Sequence, residues 1–191
     1  MRRPSRDEVR AAFVTIAARR FAEDGYQTTS LEDIAGEAGY SKAALLYHFG
    51  SKEDLLAAVV AERLDEVDRL LDSLAAVPPG PDRTRTVIDA LATVVLERRP
   101  AGPLALGPAN ELALVLADHP SLVERFRAVR ERLLEVLAGP DPSPSQQLRL
   151  TMTFYGLPPA LHEFADVPTD ELHRHLVDVL SDALHPPKEP R

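Results

Sequence analysis

The chain has 191 residues, with 17 prolines, no cysteine and a formal net charge of -8. The lack of cysteine excludes disulfide frameworks, thiolate metal sites such as zinc fingers, and cysteine nucleophiles. Since no window approaches about 18 uncharged residues, we expect a cytoplasmic protein with no membrane partner.

The acidic charge is not spread evenly. Residues 1–52 hold 8 Lys/Arg against 7 Asp/Glu, which leaves 14 against 23 for residues 53–191. A nearly neutral N-terminal segment with local positive charge is compatible with binding a polyanion. The cations placed to meet a phosphate backbone are Arg2, Arg3, Arg6, Lys42 and Lys52.

Capping signals predict four helices within the first half of the chain. A serine stands just before each apolar-periodic segment: Ser5, Ser30, Ser41 and Ser51. All but Ser41 are followed three positions later by an acidic residue, the spacing of a capping box. Glycines end the first three segments. Beyond Pro78 we expect proline-separated helices at 82–99, 104–117, 120–138, 145–164 and 169–184, with a kink or break at Pro158 and Pro159.

Residues 30–52 carry the functional signal. Two short helices joined by a glycine-containing turn are typical of a helix-turn-helix, whose second helix enters a DNA major groove. In the second of these helices, successive side chains are about 100° apart. Leu45 and Phe49 therefore point toward the two preceding helices, and Ala43, Ala44 and Tyr47 point away from them. The side chains at the N-terminal end of this outward face are small, so the helix can enter a groove closely. We therefore expect Lys42 near base edges or phosphate and Tyr47 further along the groove.

Polar groups at the edge of that face are candidate phosphate contacts: Ser30, Ser41, His48 and Lys52. Each has a structural alternative. The serines cap helices on any interpretation, Lys42 is otherwise a solvated lysine, Tyr47 otherwise packs on the first helix, and His48 otherwise bonds within the head.

The head resembles the TetR family of bacterial regulators over residues 5–56. The matching positions are Thr29, Ser30, Leu31, Ile34, Ala35, Ala38, Gly39, Ser41, Leu45, His48, Phe49, Ser51, Lys52 and Leu55. The resemblance implies DNA-facing positions at Thr29, Lys42, Ala43, Ala44, Tyr47, His48 and Lys52. Ala43 and Ala44 replace the usual Gly-Thr, and Leu46 replaces the usual tyrosine, with Tyr47 one position later.

The resemblance also implies an all-α fold in two parts. It assigns residues 1–50 to a three-helix, helix-turn-helix DNA-binding head, and residues 51–191 to a long fourth helix and a helical effector-binding and dimerisation bundle. The implied partners are a double-stranded, palindromic operator, a second copy of the chain and an unidentified small-molecule effector. The implied mode is repression relieved by that molecule.

Candidate residues for these roles lie in the later helices. Family members pair their last two long helices across a two-fold axis, which assigns the apolar stripes here to a homodimer interface, with core packing as the alternative: Leu148, Met152, Tyr155, Leu172, Leu176, Val179, Leu180 and Ala183. The candidate effector ligands are Arg98, Asn110, His119, Tyr155 and His162.

Two other classes of function are weighed. A histidine-based or metal-dependent enzyme is disfavoured, since His162 has no second histidine four residues on, and His173 and His175 do not share a helix face. We therefore expect no catalytic residue, no metal and no cofactor. A helical adaptor with weakened DNA binding draws support from Ala43, Ala44 and Leu46.

Overall fold

A computed structural model describes residues 4–75, 81–97, 118–164 and 166–184. Within these ranges the chain forms eight α-helices and no β-strand, which confirms the predicted all-α class. The helices are α1 (Arg6–Glu23), α2 (Leu31–Glu37), α3 (Lys42–Phe49), α4 (Lys52–Ala75), α5 (Pro81–Glu97), α6 (Pro120–Ala138), α7 (Pro144–Glu163) and α8 (Thr169–Leu184). The predicted helix at 104–117 and the basic residues Arg2 and Arg3 lie outside the described residues.

The predicted serine caps are confirmed. The Ser5 hydroxyl accepts from the Glu8 backbone N–H at 3.1 Å, and the Glu8 carboxylate accepts from the Ser5 N–H at 2.6 Å, forming a reciprocal capping box. The hydroxyls of Ser30, Ser41 and Ser51 accept from the N–H three residues later, at 3.1, 3.2 and 2.9 Å. Because such a cap contributes about 1 kcal/mol, local sequence fixes where these helices begin.

The head packs around Phe13 of α1, which is fully buried. The rings of Tyr40 and Phe49 meet it edge to face, with centroids 5.5 and 6.2 Å away. Ile34 of α2 and Leu45 of α3 are fully buried in the same cluster. Three helices thus share one small core, and this core holds α3 in place.

The core continues from the head into the rest of the chain along α4. Its buried positions recur every three or four residues: Leu55, Leu56, Val59, Val60, Leu64, Leu71 and Leu74. On the α6 side, Arg125 pairs with Asp65, and Arg132 pairs with Asp72 and, at 3.3 Å, with Asp68. The start of α4 packs beside α3 and its later part packs on α6. The helix α4 therefore joins the head, formed by α1–α3, to the body, formed by the helices that follow α4.

The inward face of α8 corrects part of the predicted dimer interface. Leu172, Leu176, Leu180 and Ala183 are buried against the chain's own helices, whereas Val179 is exposed. The stripe is amphipathic because α8 covers the intrachain core, which is the alternative that the sequence left open.

The helix α7 is continuous through Pro158 and Pro159, so of the predicted kink or break the break is absent. Among the described helices, none is long and apolar enough to cross a membrane.

Candidate nucleic-acid interface

The two faces of α3 differ as the sequence predicts. Leu45 is fully buried and Phe49 is buried, whereas Tyr47 is 73% exposed. Ala43 is exposed and Ala44 half-buried on the outward side. The helix is therefore anchored by one face and presents a face of small side chains and one large aromatic ring to solvent.

The ring of Tyr47 lies beside the N-terminus of α1. The guanidinium carbon of Arg6 stands 5.4 Å from the centroid of that ring, within the range of a cation–π contact. Arg10, one turn later, stands 4.9 Å from the Phe49 centroid. The sequence predicts Arg6 only as a cation placed to meet a phosphate backbone, since its packing on α3 depends on how the two helices cross.

Lys42 forms an ion pair with Glu32 of α2. The Lys42 Nζ donates to the Glu32 Oε1 at 2.7 Å, between side chains that are 46% and 61% exposed. The hydrogen bond from Lys42, followed by one from Glu32's own backbone N–H, holds the pKa of the Glu32 carboxyl below its usual value. The sequence patterns did not predict this pair, because it joins residues ten positions apart on two different helices.

Lys52 lies at the start of α4, with its ammonium over the ring of Tyr26. Its Nζ is 4.4 Å from the ring centroid and 3.5 Å from the Gln27 carbonyl oxygen. The Tyr26 hydroxyl in turn donates to the Glu53 carboxylate at 3.2 Å. These contacts position the ammonium at the edge of the head, next to the loop before α2.

Thr29 is not placed as the family resemblance implies. It is buried, and its hydroxyl donates to the Gly25 carbonyl at 2.8 Å and the Arg20 carbonyl at 3.2 Å. This corrects its assignment as a DNA-facing side chain: the hydroxyl closes the end of α1 because a buried donor requires an acceptor. Ser30 and Ser41 keep their hydroxyls on the N–H groups that they cap.

His48 is half-buried against the aromatic core. Its ring lies edge-on to Phe13 and Tyr47, with centroids 5.7 Å from each. Within the described residues its Nδ1 is buried and has no hydrogen-bond partner. The ring is thus oriented by packing, between the core and the exposed face of α3.

Of the candidate effector residues, the structure describes the side chain of His119 alone, so the set stays a prediction. His119 lies just before α6 with its Nε2 3.8 Å from the Asp54 carboxylate, at the start of α4 beside the head. Arg98 and Asn110 lie outside the described residues, as do the side chains of Tyr155 and His162 on α7. In the described part of the chain, no group of acidic residues and histidines is arranged to hold a metal ion.

A cleft of about 350 Å³ opens between α1 and α4. Its charged lining comes from Asp7, Arg10, Glu62 and Asp65, and none of these was a predicted effector ligand. The cleft therefore gives no support to the sequence-based set.

Three of the candidate dimer residues form exposed apolar surface. Leu148 and Met152, one turn apart on α7, and Val179 on α8 are large apolar side chains that are more than half exposed. Large exposed apolar surface of this kind is typical of an interface between chains.

The fold and the α2–α3 geometry define the class: a helix-turn-helix head built onto a helical body. The profile of the bacterial regulatory proteins of the tetR family matches residues 14–59. The transcriptional repressor Rv3405c of Mycobacterium tuberculosis is 34% identical over 118 residues, 60% of this chain and 61% of that protein. The transcriptional activator FasR of Mycolicibacterium smegmatis is 33% identical over 86 residues, 44% of this chain and 39% of FasR. The chain thus spans less than two thirds of these curated relatives.

Solved structures share the fold over nearly the whole chain. The fatty acid degradation regulator FadR of Bacillus halodurans has a TM-score of 0.68 at 16% identity, covering 99% of this chain and 100% of FadR. FadR of Bacillus subtilis in complex with stearoyl-CoA has a TM-score of 0.66 at 15% identity, covering 92% and 99%. Residues 14–59 therefore match the helix-turn-helix of the TetR family, and the chain shares the overall fold of these solved structures.

Proposed function

We propose that the chain regulates transcription by binding duplex DNA through the exposed face of α3. The observation that carries this proposal is the contrast between buried Leu45 and Tyr47, which is 73% exposed with Arg6 stacked on it. An aromatic side chain with cations around it on a short, well-anchored helix fits the floor and the phosphate walls of a major groove.

The homodimer is part of the same proposal. A palindromic operator is matched by a two-fold protein, and the exposed residues Leu148, Met152 and Val179 supply apolar surface for that contact. The buried leucines of α8 hold this helix against the rest of the chain, which leaves its opposite face free for the contact between subunits. We therefore assign the interface to the outer surfaces of α7 and α8.

We further propose that a small molecule changes the spacing of the two heads. The mechanical link is α4, which carries head contacts at one end and the α6 ion pairs of Asp65, Asp68 and Asp72 further along. A ligand that binds the state with mismatched head spacing shifts the population away from DNA. The stearoyl-CoA complex of the Bacillus subtilis FadR supports a ligand with an extended apolar part.

Regulators named as a repressor and as an activator both occur among the relatives. We propose repression, since an operator-bound dimer blocks polymerase without any further partner. The adaptor alternative differs in one measurable respect, because its DNA binding is weak and does not distinguish one sequence from another.

Fluorescence anisotropy with labelled duplex from the DNA flanking the chain's own gene tests the proposal. We expect binding at least about 1000-fold tighter than to a shuffled duplex, with an affinity that falls as salt rises. Stearoyl-CoA is the first probe for release of the bound duplex. Equal, weak binding to both duplexes at low salt would overturn the assignment in favour of the adaptor.

A further inference from the structure

The positive charge nearest the start of α3 is already engaged in the free protein. Lys42 and Glu32 belong to the first turns of α3 and α2, the two helices of the helix-turn-helix, and their charged atoms are 2.7 Å apart. Both side chains remain substantially exposed, so DNA phosphates have access to both partners. Any phosphate that takes the Lys42 ammonium must therefore compete with the Glu32 carboxylate.

The carboxylate is held in place by more than its ion pair. Glu32 lies in the first turn of α2, where the helix dipole favours negative charge, and it also accepts from its own backbone N–H. The pKa of Glu32 is lowered by these hydrogen bonds, so the carboxylate is ionised at neutral pH. When Lys42 leaves, Glu32 stays on the same surface as an uncompensated negative charge.

We propose that Glu32 acts as an intramolecular competitor of DNA for Lys42, which lowers the affinity of the head for duplex of any sequence. The inference rests on the proposed DNA-binding function. Moving Lys42 from Glu32 to a phosphate exchanges one exposed ion pair for another, with little net gain. The counterion released from DNA by Lys42 is offset by the cation that the abandoned carboxylate attracts, so Lys42 contributes little to the salt dependence.

The test compares Glu32→Gln with wild type in the full-length protein. Glu131→Gln, an exposed position on α6, is the matched control for the change in net charge. Dissociation constants are measured by anisotropy across a salt series, for the duplex flanking the gene and for a shuffled duplex. Thermal midpoints establish that each variant is folded.

We expect Glu32→Gln to bind both duplexes about two- to fivefold more tightly per subunit, and Glu131→Gln to match wild type. The slope of log affinity against log salt should steepen by about 0.9 per subunit, because Lys42 then releases its counterion without a compensating carboxylate. The same substitution in a Lys42→Ala background should change neither quantity, since the competitor has lost its target.

Three results would overturn the inference. Unchanged binding means that the pair has no bearing on DNA, and weaker binding means that Glu32 positions Lys42 for contact. An equal gain in the Lys42→Ala background means that Glu32 repels phosphate directly and does not act through Lys42. A wild-type protein that binds neither duplex is a separate failure, visible without any variant, and it removes the proposed function itself.

Discussion

Arg6 of α1 lies over the ring of Tyr47 on α3, with its guanidinium carbon 5.4 Å from the ring centroid. This contact joins the first helix to the exposed face of α3. Tyr47 is the most exposed large apolar side chain among the described residues of the head. The proposed interface thus begins at the first helix as well as at α2 and α3.

Replacing Arg6 with alanine tests this extension of the interface. We expect the slope of log affinity against log salt to fall by about 0.9 per subunit, because one phosphate contact is lost. The thermal midpoint should change little, since an exposed cation–π pair contributes only about 0.5–1 kcal/mol. Arg127→Ala, at an exposed position on α6, is the matched control. A slope equal to that of the control would remove Arg6 from the interface.

Lys52→Ala separates a phosphate contact from a structural one. The lysine approaches the Tyr26 ring and the Gln27 carbonyl, so we expect a small loss of stability together with weaker binding to every duplex. Lys52→Arg keeps the charge, so it should retain most of the wild-type stability and most of the DNA affinity. Salt-dependent anisotropy and thermal unfolding measure the two effects; a variant that loses stability but keeps the wild-type salt slope would make Lys52 purely structural.

The dimer proposal is tested with two residues of the predicted interface that the structure separates. Met152→Glu places a charge on exposed apolar surface of α7, so it should yield a folded monomer with weakened operator binding. Leu176→Glu buries a charge within the chain, so it should unfold the body. Analytical ultracentrifugation and circular dichroism measure these outcomes. A Met152→Glu protein that sediments as a dimer would place the interface elsewhere.

The head should lose stability in acid because of Glu37. Hydrogen bonds from Arg19, then from Arg20, lower the pKa of the Glu37 carboxyl in the folded head below its ordinary value of about 4.3. The stabilisation is therefore present above that ordinary value and is lost as the pH falls through the lowered one. Glu37→Gln should unfold with a flatter dependence of thermal midpoint on pH between about 5 and 3. Identical pH profiles for the variant and wild type would contradict this assignment.

Local patterns in the sequence predict the head well. The caps at Ser30, Ser41 and Ser51 and the two faces of α3 depend only on residues within one or two turns, so periodicity and capping rules suffice. Partnerships between helices were not predictable in this way. The pairing of Lys42 with Glu32, and of His119 with Asp54, depends on how helices cross.

The α8 stripe shows the other limit of sequence patterns. An apolar stripe reports that a face is buried but not whether the chain itself or a second copy buries it. Leu176 and Val179 are three residues apart on one helix, yet the first is buried in the core and the second is exposed. Thr29 is similar, because the family pattern marks the position but not the direction of its hydroxyl.

The most direct test of the central claim compares two substitutions on opposite faces of α3. Tyr47→Ala should leave the thermal midpoint and dimerisation near wild type and weaken binding to the duplex flanking the gene by roughly 1–3 kcal/mol. Leu45→Ala should destabilise the head by roughly 2–5 kcal/mol, since it empties a fully buried site. If Tyr47→Ala unfolds the head, or binds the duplex as tightly as wild type, the exposed face of α3 is not the surface that binds DNA.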